Sequence, residues 1–84
     1  MEYKVLVKRS AEKELAALPT QFRERIAERI LALERNPRPF GAKKLRGQTA
    51  YHLRVGDYRV LFMVDDTARV VTVFAIGHRR EVYR

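Results

Sequence analysis

Apolar and polar positions alternate at the start of the chain, recur at helical spacing in its first half, and alternate again in its second. In residues 3–8, Tyr3, Val5 and Val7 fall on one side of an extended chain and Lys4, Leu6 and Lys8 on the other, which predicts a first strand. Arg9-Ser10 ends it. Ala11, Leu15 and Leu18 share one helical face, so a short helix is expected through Leu18. Ser10 is its expected cap, because a hydroxyl there accepts a backbone N–H that the first turn leaves over. Pro19 stops this helix, and Thr20 is placed to cap the next. There Phe22, Ile26, Ile30 and Leu33 form an apolar stripe, widened by Ala27 and Leu31. The intervening Arg23, Glu24, Arg25, Glu28, Arg29 and Glu34 read as a solvated face. Asn36-Pro37 closes the helix, since a residue before proline avoids the helical region.

Residues 36–50 hold two of the three prolines and two of the four glycines and read as an ordered loop, with Leu45 its anchor to the core. In residues 51–55, Tyr51, Leu53 and Val55 alternate with His52 and Arg54. Gly56-Asp57 is a tight turn. Residues 58–64 are apolar on both faces except at Arg59, the pattern of a central strand. Asp65-Asp66-Thr67 turns again, and residues 69–76 make the last strand. The expected class is α+β, in the order β-α-α-β-β-β, with two N-terminal helices on one face of a small, mostly antiparallel sheet. With 84 residues, one domain spanning 1–84 is expected.

Charge sharpens this picture. The net charge is +8, and residues 11–35 contribute nothing to it, with five acidic and five basic side chains. Residues 36–84 carry ten basic against four acidic groups, so a polyanion-facing surface belongs mainly to the second half. There is no cysteine, which removes disulfides and thiolate metal sites and suits a reducing cytoplasm. No apolar run approaches the ~18 residues of a membrane span, and the first residues have no signal-peptide character. The two histidines and scattered carboxylates lack metal-ligand spacing. No phosphate-cradling glycine loop or nucleophile elbow is present, and no cofactor is expected.

The remaining chemistry is that of histidine, arginine and tyrosine. His52 and Arg54 share a strand face, and the hairpin at Gly56-Asp57 brings Arg59 near Arg54. Segment 77–83 is expected to emerge near the start of the central strand. His52, Arg54, Arg59, His78, Arg79, Arg80 and Tyr83 would then line one concave face, with Lys43, Lys44 and Arg46 as further phosphate contacts. Such a set suits RNA cleavage by the substrate's own 2′-hydroxyl. Arginine forks match a phosphate that gains negative charge. A histidine near its ordinary pKa of ~6.5 takes a proton, and nearby arginines should lower that pKa. Tyrosine stacks on a splayed base. Singly, each residue has an ordinary structural role; Tyr51 and Tyr58 are expected to pack.

Three stretches carry a resemblance across almost the whole chain. They are Lys43-Lys44-Leu45-Arg46-Gly47, Tyr51-His52-Leu53-Arg54-Val55-Gly56-Asp57-Tyr58-Arg59-Val60, and the ending Gly77-His78-Arg79-Arg80-Glu81-Val82-Tyr83. The chain resembles the RelE/ParE superfamily of type II toxin–antitoxin toxins, and its ending resembles the RelE-type mRNA interferases. The resemblance implies a metal-independent endoribonuclease that cuts mRNA in the ribosomal A site. It also implies a cognate antitoxin partner, with promoter DNA bound only through the toxin–antitoxin complex. By the same resemblance His52, Arg54 and Arg59 serve proton transfer and charge stabilisation, Arg79 assists the leaving group, and Tyr83 stacks on the nucleotide. His78 and Arg80 join Lys43, Lys44 and Arg46 as RNA-binding residues. RelE-type enzymes can carry lysines where His52 and Arg54 stand here. Arg54 stays protonated at any usable pH, so His52 is the expected base. The alternatives are a ParE-like inhibitor of DNA gyrase and an inactive, antitoxin-binding relative.

Overall fold

The computed structural model describes residues 2–45 and 50–78. The elements are β1 (Lys4–Val7), α1 (Arg9–Ala16), α2 (Thr20–Ala32), β2 (Lys43–Lys44), β3 (Ala50–Val55), β4 (Tyr58–Asp65) and β5 (Val70–His78). They form one five-stranded sheet in the order β1-β5-β4-β3-β2. β1 runs parallel to β5, and the other pairings are antiparallel. The sheet is therefore mostly antiparallel, as expected, with its first strand beside its last.

One face of the sheet meets the helices. Val5 and Val7 of β1, Leu53 and Val55 of β3, Val60, Phe62 and Val64 of β4, and Val71, Val73 and Ile76 of β5 pack with Ala11 of α1 and with Ile26, Ile30 and Leu33. Burying each large side chain of this set stabilises the fold by roughly 1.5–3 kcal/mol relative to exposure. Phe62, on the central strand, has no exposed surface and stacks against Tyr51 at 5.8 Å between ring centroids. Tyr58 packs on Phe22 of α2 at 5.0 Å, so both tyrosines pack as expected.

Local boundaries depart from the expected ones for identifiable reasons. The Lys8 N–H donates to the Val73 carbonyl at 2.9 Å, which keeps Lys8 extended and makes it the residue preceding α1. The helix thus starts at Arg9, and Ser10 lies within its first turn instead of capping it. It ends at Ala16, because Leu18 precedes a proline. Pro19 is the N-cap of α2, and Thr20 is its first residue, with Oγ1 accepting from Arg23 at 3.1 Å. Leu31 is 61% exposed and does not widen the buried stripe, which stays narrow along Ile26, Ile30 and Leu33. The stretch read as loop contains β2, two lysines paired with His52 and Tyr51.

Two side-chain arrangements fix the parts that strand pairing leaves loose. Arg38 grips Asp66 with both terminal nitrogens, at 3.1 and 2.7 Å, and donates from Nε to the Tyr51 hydroxyl at 2.8 Å. The Tyr3 hydroxyl donates to the same Asp66 carboxylate at 2.6 Å. The Arg38 hydrogen bonds, then that of Tyr3, hold the Asp66 carboxyl down to about 2. The pair is exposed, so solvent and salt screen it and little of the fold's stability rests on it. Its geometric effect is larger, because it joins the N-terminal strand, the 36–42 loop and the β4–β5 turn.

The second arrangement lies on β5, where Leu61 pairs with Ala75 and Phe62 with Val73, leaving Phe74 as a bulge. β1 has ended by this point, and the Ile76 N–H donates instead to Glu14 Oε1 of α1 at 2.9 Å. The helix thereby covers a donor that the sheet edge would otherwise leave open.

Phe62→Ala should lower the unfolding free energy by roughly 3–5 kcal/mol, as for other fully buried phenylalanines. Urea denaturation followed by circular dichroism measures this, as a fall in midpoint at nearly constant slope.

Candidate nucleic-acid interface

Pairing of β3 with β4 decides where the charged side chains go. Leu53 pairs with Val60 and Val55 with Tyr58, and all four sit against the helices. Side chains alternate along a strand, so His52, Arg54 and Arg59 project to the other side. Arg54 and Arg59 are direct cross-strand partners on either side of the Gly56-Asp57 turn, where Gly56 adopts a φ of +61°. Two like charges placed opposite each other weaken a strand pair. The Arg54 Nε–H turns instead to the Gly56 carbonyl, at 3.3 Å.

These residues line a cavity of about 400 Å³ together with Arg29, Gly41, Lys43 and Leu53. Among the described residues, four permanent cations and one histidine line it, and none of these lining residues is acidic. Arg59 Nη1 lies 3.5 Å from His52 Nδ1. The His52 pKa is lowered, first by burial, then by the charges of Arg59 and Lys43. The direction matches the sequence expectation, but desolvation leads the cause, and Lys43, not Arg54, is the second contributing cation. The neutral, proton-accepting imidazole is the favoured form at neutral pH.

Of the residues proposed from sequence, His52, Arg54, Arg59 and Lys43 meet at this cavity. Lys44 is exposed on β2 beside Tyr51 and does not line it. His78 is directed elsewhere. It pairs with Tyr58, lies edge-on to that ring at 5.9 Å between centroids, and lines a separate cavity of about 450 Å³ with Glu14, Ala17 and Leu18 of the α1 side. The bulge at Phe74 adds one residue to the strand and so moves His78 to the helix face. Arg46, Arg79, Arg80 and Tyr83 lie outside the described residues. Arg29 was read as part of a solvated face. Its helical neighbours three and four residues away are Arg25, Ile26, Ala32 and Leu33, none of them acidic, and that was a usable signal. Among the described residues, no three His, Asp or Glu side chains gather into a metal-binding group.

A family profile described as "ParE toxin of type II toxin-antitoxin system, parDE" matches residues 5–83. The chain belongs to this family. Within it the likeness is to RelE-type toxins. Toxin RelG of Mycobacterium tuberculosis is 32% identical over 87 residues, covering 100% of this chain and 99% of that protein. The archaeal RelE–RelB complex from Pyrococcus horikoshii OT3 superposes with a TM-score of 0.85 at 31% identity, covering 98% of this chain and 100% of that one. The intact RelBE toxin–antitoxin complex of Escherichia coli gives 0.79 at 28% identity, over 90% of this chain and 95% of that one. This RelE-type toxin thus shares its two helices and open sheet with structures over nearly their whole length. No helix of its described residues is long and apolar enough to cross a membrane.

Two measurements follow from the site's electrostatics. A depressed histidine pKa means that the unfolded chain binds a proton before the folded one does. Stability should therefore fall as pH drops below the unfolded value of ~6.5. His52→Gln should flatten that part of the pH–stability curve, read by thermal melts between pH 5 and 8. Arg54→Thr relieves the opposed arginines and should stabilise the protein by roughly 0.2–1 kcal/mol, more at low salt than at high. The same variant should bind a polyanion such as heparin more weakly, eluting from it at lower salt.

Proposed function

We propose that this toxin cuts mRNA in the ribosomal A site. The carrying observation is the cavity in which His52, held toward its neutral form, stands beside Arg59, Arg54 and Lys43. A group poised to accept a proton, set among fixed positive charges, is what phosphoryl transfer to an internal hydroxyl requires. The 2′-oxygen attacks the adjacent phosphorus as His52 takes its proton. The bond to the 5′-oxygen then breaks, leaving a 2′,3′-cyclic phosphate and, once that oxygen is protonated, a 5′-hydroxyl. Arg59 and Arg54 stabilise the charge that builds on the phosphate, where preorganised donors act most strongly. The family resemblance gives Arg79 the leaving group and Tyr83 the stacked base, and Arg46 and Arg80 are read as further contacts to RNA.

Metal ions have no part in this scheme. The solved RelE–RelB complexes support a cognate antitoxin as the partner of this chain. The same proposal places this partnership in the cytoplasm and brings the pair to promoter DNA through the antitoxin.

Arg59→Ala and Arg79→Ala should each lower cleavage of ribosome-bound mRNA by roughly 100–1,000-fold, the usual cost of losing one preorganised transition-state donor. Gel analysis of programmed ribosomes measures it, and full activity in both variants would refute the site assignment. Induced expression with translation and DNA supercoiling followed in parallel separates the functions. Early arrest of translation with cuts inside coding regions supports the nuclease. Loss of supercoiling with translation at first intact identifies a gyrase inhibitor. Harmless expression identifies a relative that acts only through its antitoxin complex.

A further inference from the structure

Phe40, in the loop between α2 and β2, stands apart from the other three phenylalanines. It is 101% exposed, whereas Phe62 is buried and Phe22 and Phe74 are half-buried. A single apolar side chain on a surface is ordinary; two features of its setting are not. The first is how firmly the loop is held. Pro37 and Pro39 flank Arg38 and fix their own φ. The Ala42 N–H donates to the Pro39 carbonyl at 3.0 Å, closing a turn with Phe40 and Gly41 at its centre. Gly41 has a φ of +94°, as the third position of a type II turn requires. Arg38 ties the same loop to Tyr51 at 2.8 Å and to Asp66 at 3.1 and 2.7 Å. The second feature is where the loop leads. Gly41, the next residue, lines the cavity, and so does Lys43, the cross-strand partner of His52. A strand whose phosphate reaches Lys43 therefore passes beside the Phe40 ring.

We propose that Phe40 is a base-stacking residue, taking the face of an unpaired nucleobase in the RNA strand whose backbone enters the cavity beside Lys43. This deepens the RNA reading above and rests on it. Single strands are held by basic groups that track the backbone and by aromatic rings on which the bases stack. Every base has such a face, so the contact adds affinity with little choice of sequence. A ring fixed on a braced turn loses little freedom when the base arrives, which leaves more of the contact as binding. The base is a flanking one, outside the nucleotide assigned to Tyr83. Phe40 is thus a binding residue and takes no part in proton transfer.

The test uses the purified full chain and 2′-O-methylated oligoribonucleotides, which cannot be cleaved, beside strands of the same length without bases. Binding is measured at several salt concentrations for the wild type, Phe40→Ala, Phe40→Leu and Phe40→Trp. Phe40→Ala should weaken binding of the base-carrying strand roughly 5–150-fold, the range for losing one aromatic stack. Its slope of log affinity against log salt should equal that of the wild type, because no phosphate contact is lost. Phe40→Leu should lose most of the same affinity, and Phe40→Trp should keep it. The chain has no tryptophan, so the indole of Phe40→Trp reports alone. Its fluorescence should be quenched by the base-carrying strand and not by the strand without bases. The position is fully exposed, so melting temperatures should not differ. Full RNA affinity in Phe40→Ala would overturn the stack and turn the ring toward a protein partner. Wild-type affinity in Phe40→Leu, or an unquenched indole in Phe40→Trp, would overturn it too. Wild-type binding that is weak and insensitive to salt would defeat the RNA reading itself, and the stack with it.

Discussion

The register of β3 against β4 is the constraint on which the site depends. Leu53, Val55, Val60 and Phe62 are nearly or wholly buried, and together they allow one alignment of the two strands. A slip by one residue would turn every side chain to the opposite face and drive arginines into the core. The apolar face therefore holds in place a charged face that would not assemble by itself. Arg54 opposite Arg59 is an unfavourable pair, tolerated because the back of the same hairpin is packed and the turn is short. Local destabilisation of this kind, offset elsewhere in the fold, is the usual relation between a binding surface and its scaffold.

Much of this was legible in the amino-acid order, because alternation is strict where one strand face is buried. Tyr51, Leu53 and Val55 against His52 and Arg54 is such a pattern, and it placed three cavity residues. The failures each have a physical cause. β2 is two adjacent lysines, with no apolar partner to reveal a period. Ser10 looked like a cap, but Lys8, held extended by the Val73 carbonyl, takes the N-cap position and the helix starts at Arg9. His78 was placed in a tail following a strand that ends at Ile76, whereas β5 runs on through His78 and the bulge at Phe74 turns its side chain to the helix face. Arg29 sat in a helix face rich in both charges, where one arginine is hard to tell from its neighbours. Its place at the cavity depends on Lys43 and His52, which lie close only after folding.

The two ends of the sheet solve different problems. Near the β4–β5 turn, Arg38, Asp66, Tyr3 and Tyr51 join four chain segments through a mixed network of charge and hydroxyl contacts. Arg38 also lies over the Tyr51 ring, 5.3 Å from its centroid, so the loop before β2 is held from above and from the side. At the other end, on the far side of the sheet from the helices, Arg54, Arg59 and Lys43 gather around His52.

The parallel pairing of β1 with β5 has a consequence for synthesis. Lys4 aligns with Val70 and Val7 with Val73, so the first strand made waits for the last before it gains a partner. Contacts so distant along the chain slow folding, because a long loop closes before they form. A nascent chain emerging from its own ribosome therefore has helices and an incomplete sheet until β5 is released. The sheet of this toxin is thus completed only once β5 is available, and until then β1 has no strand to cover its edge.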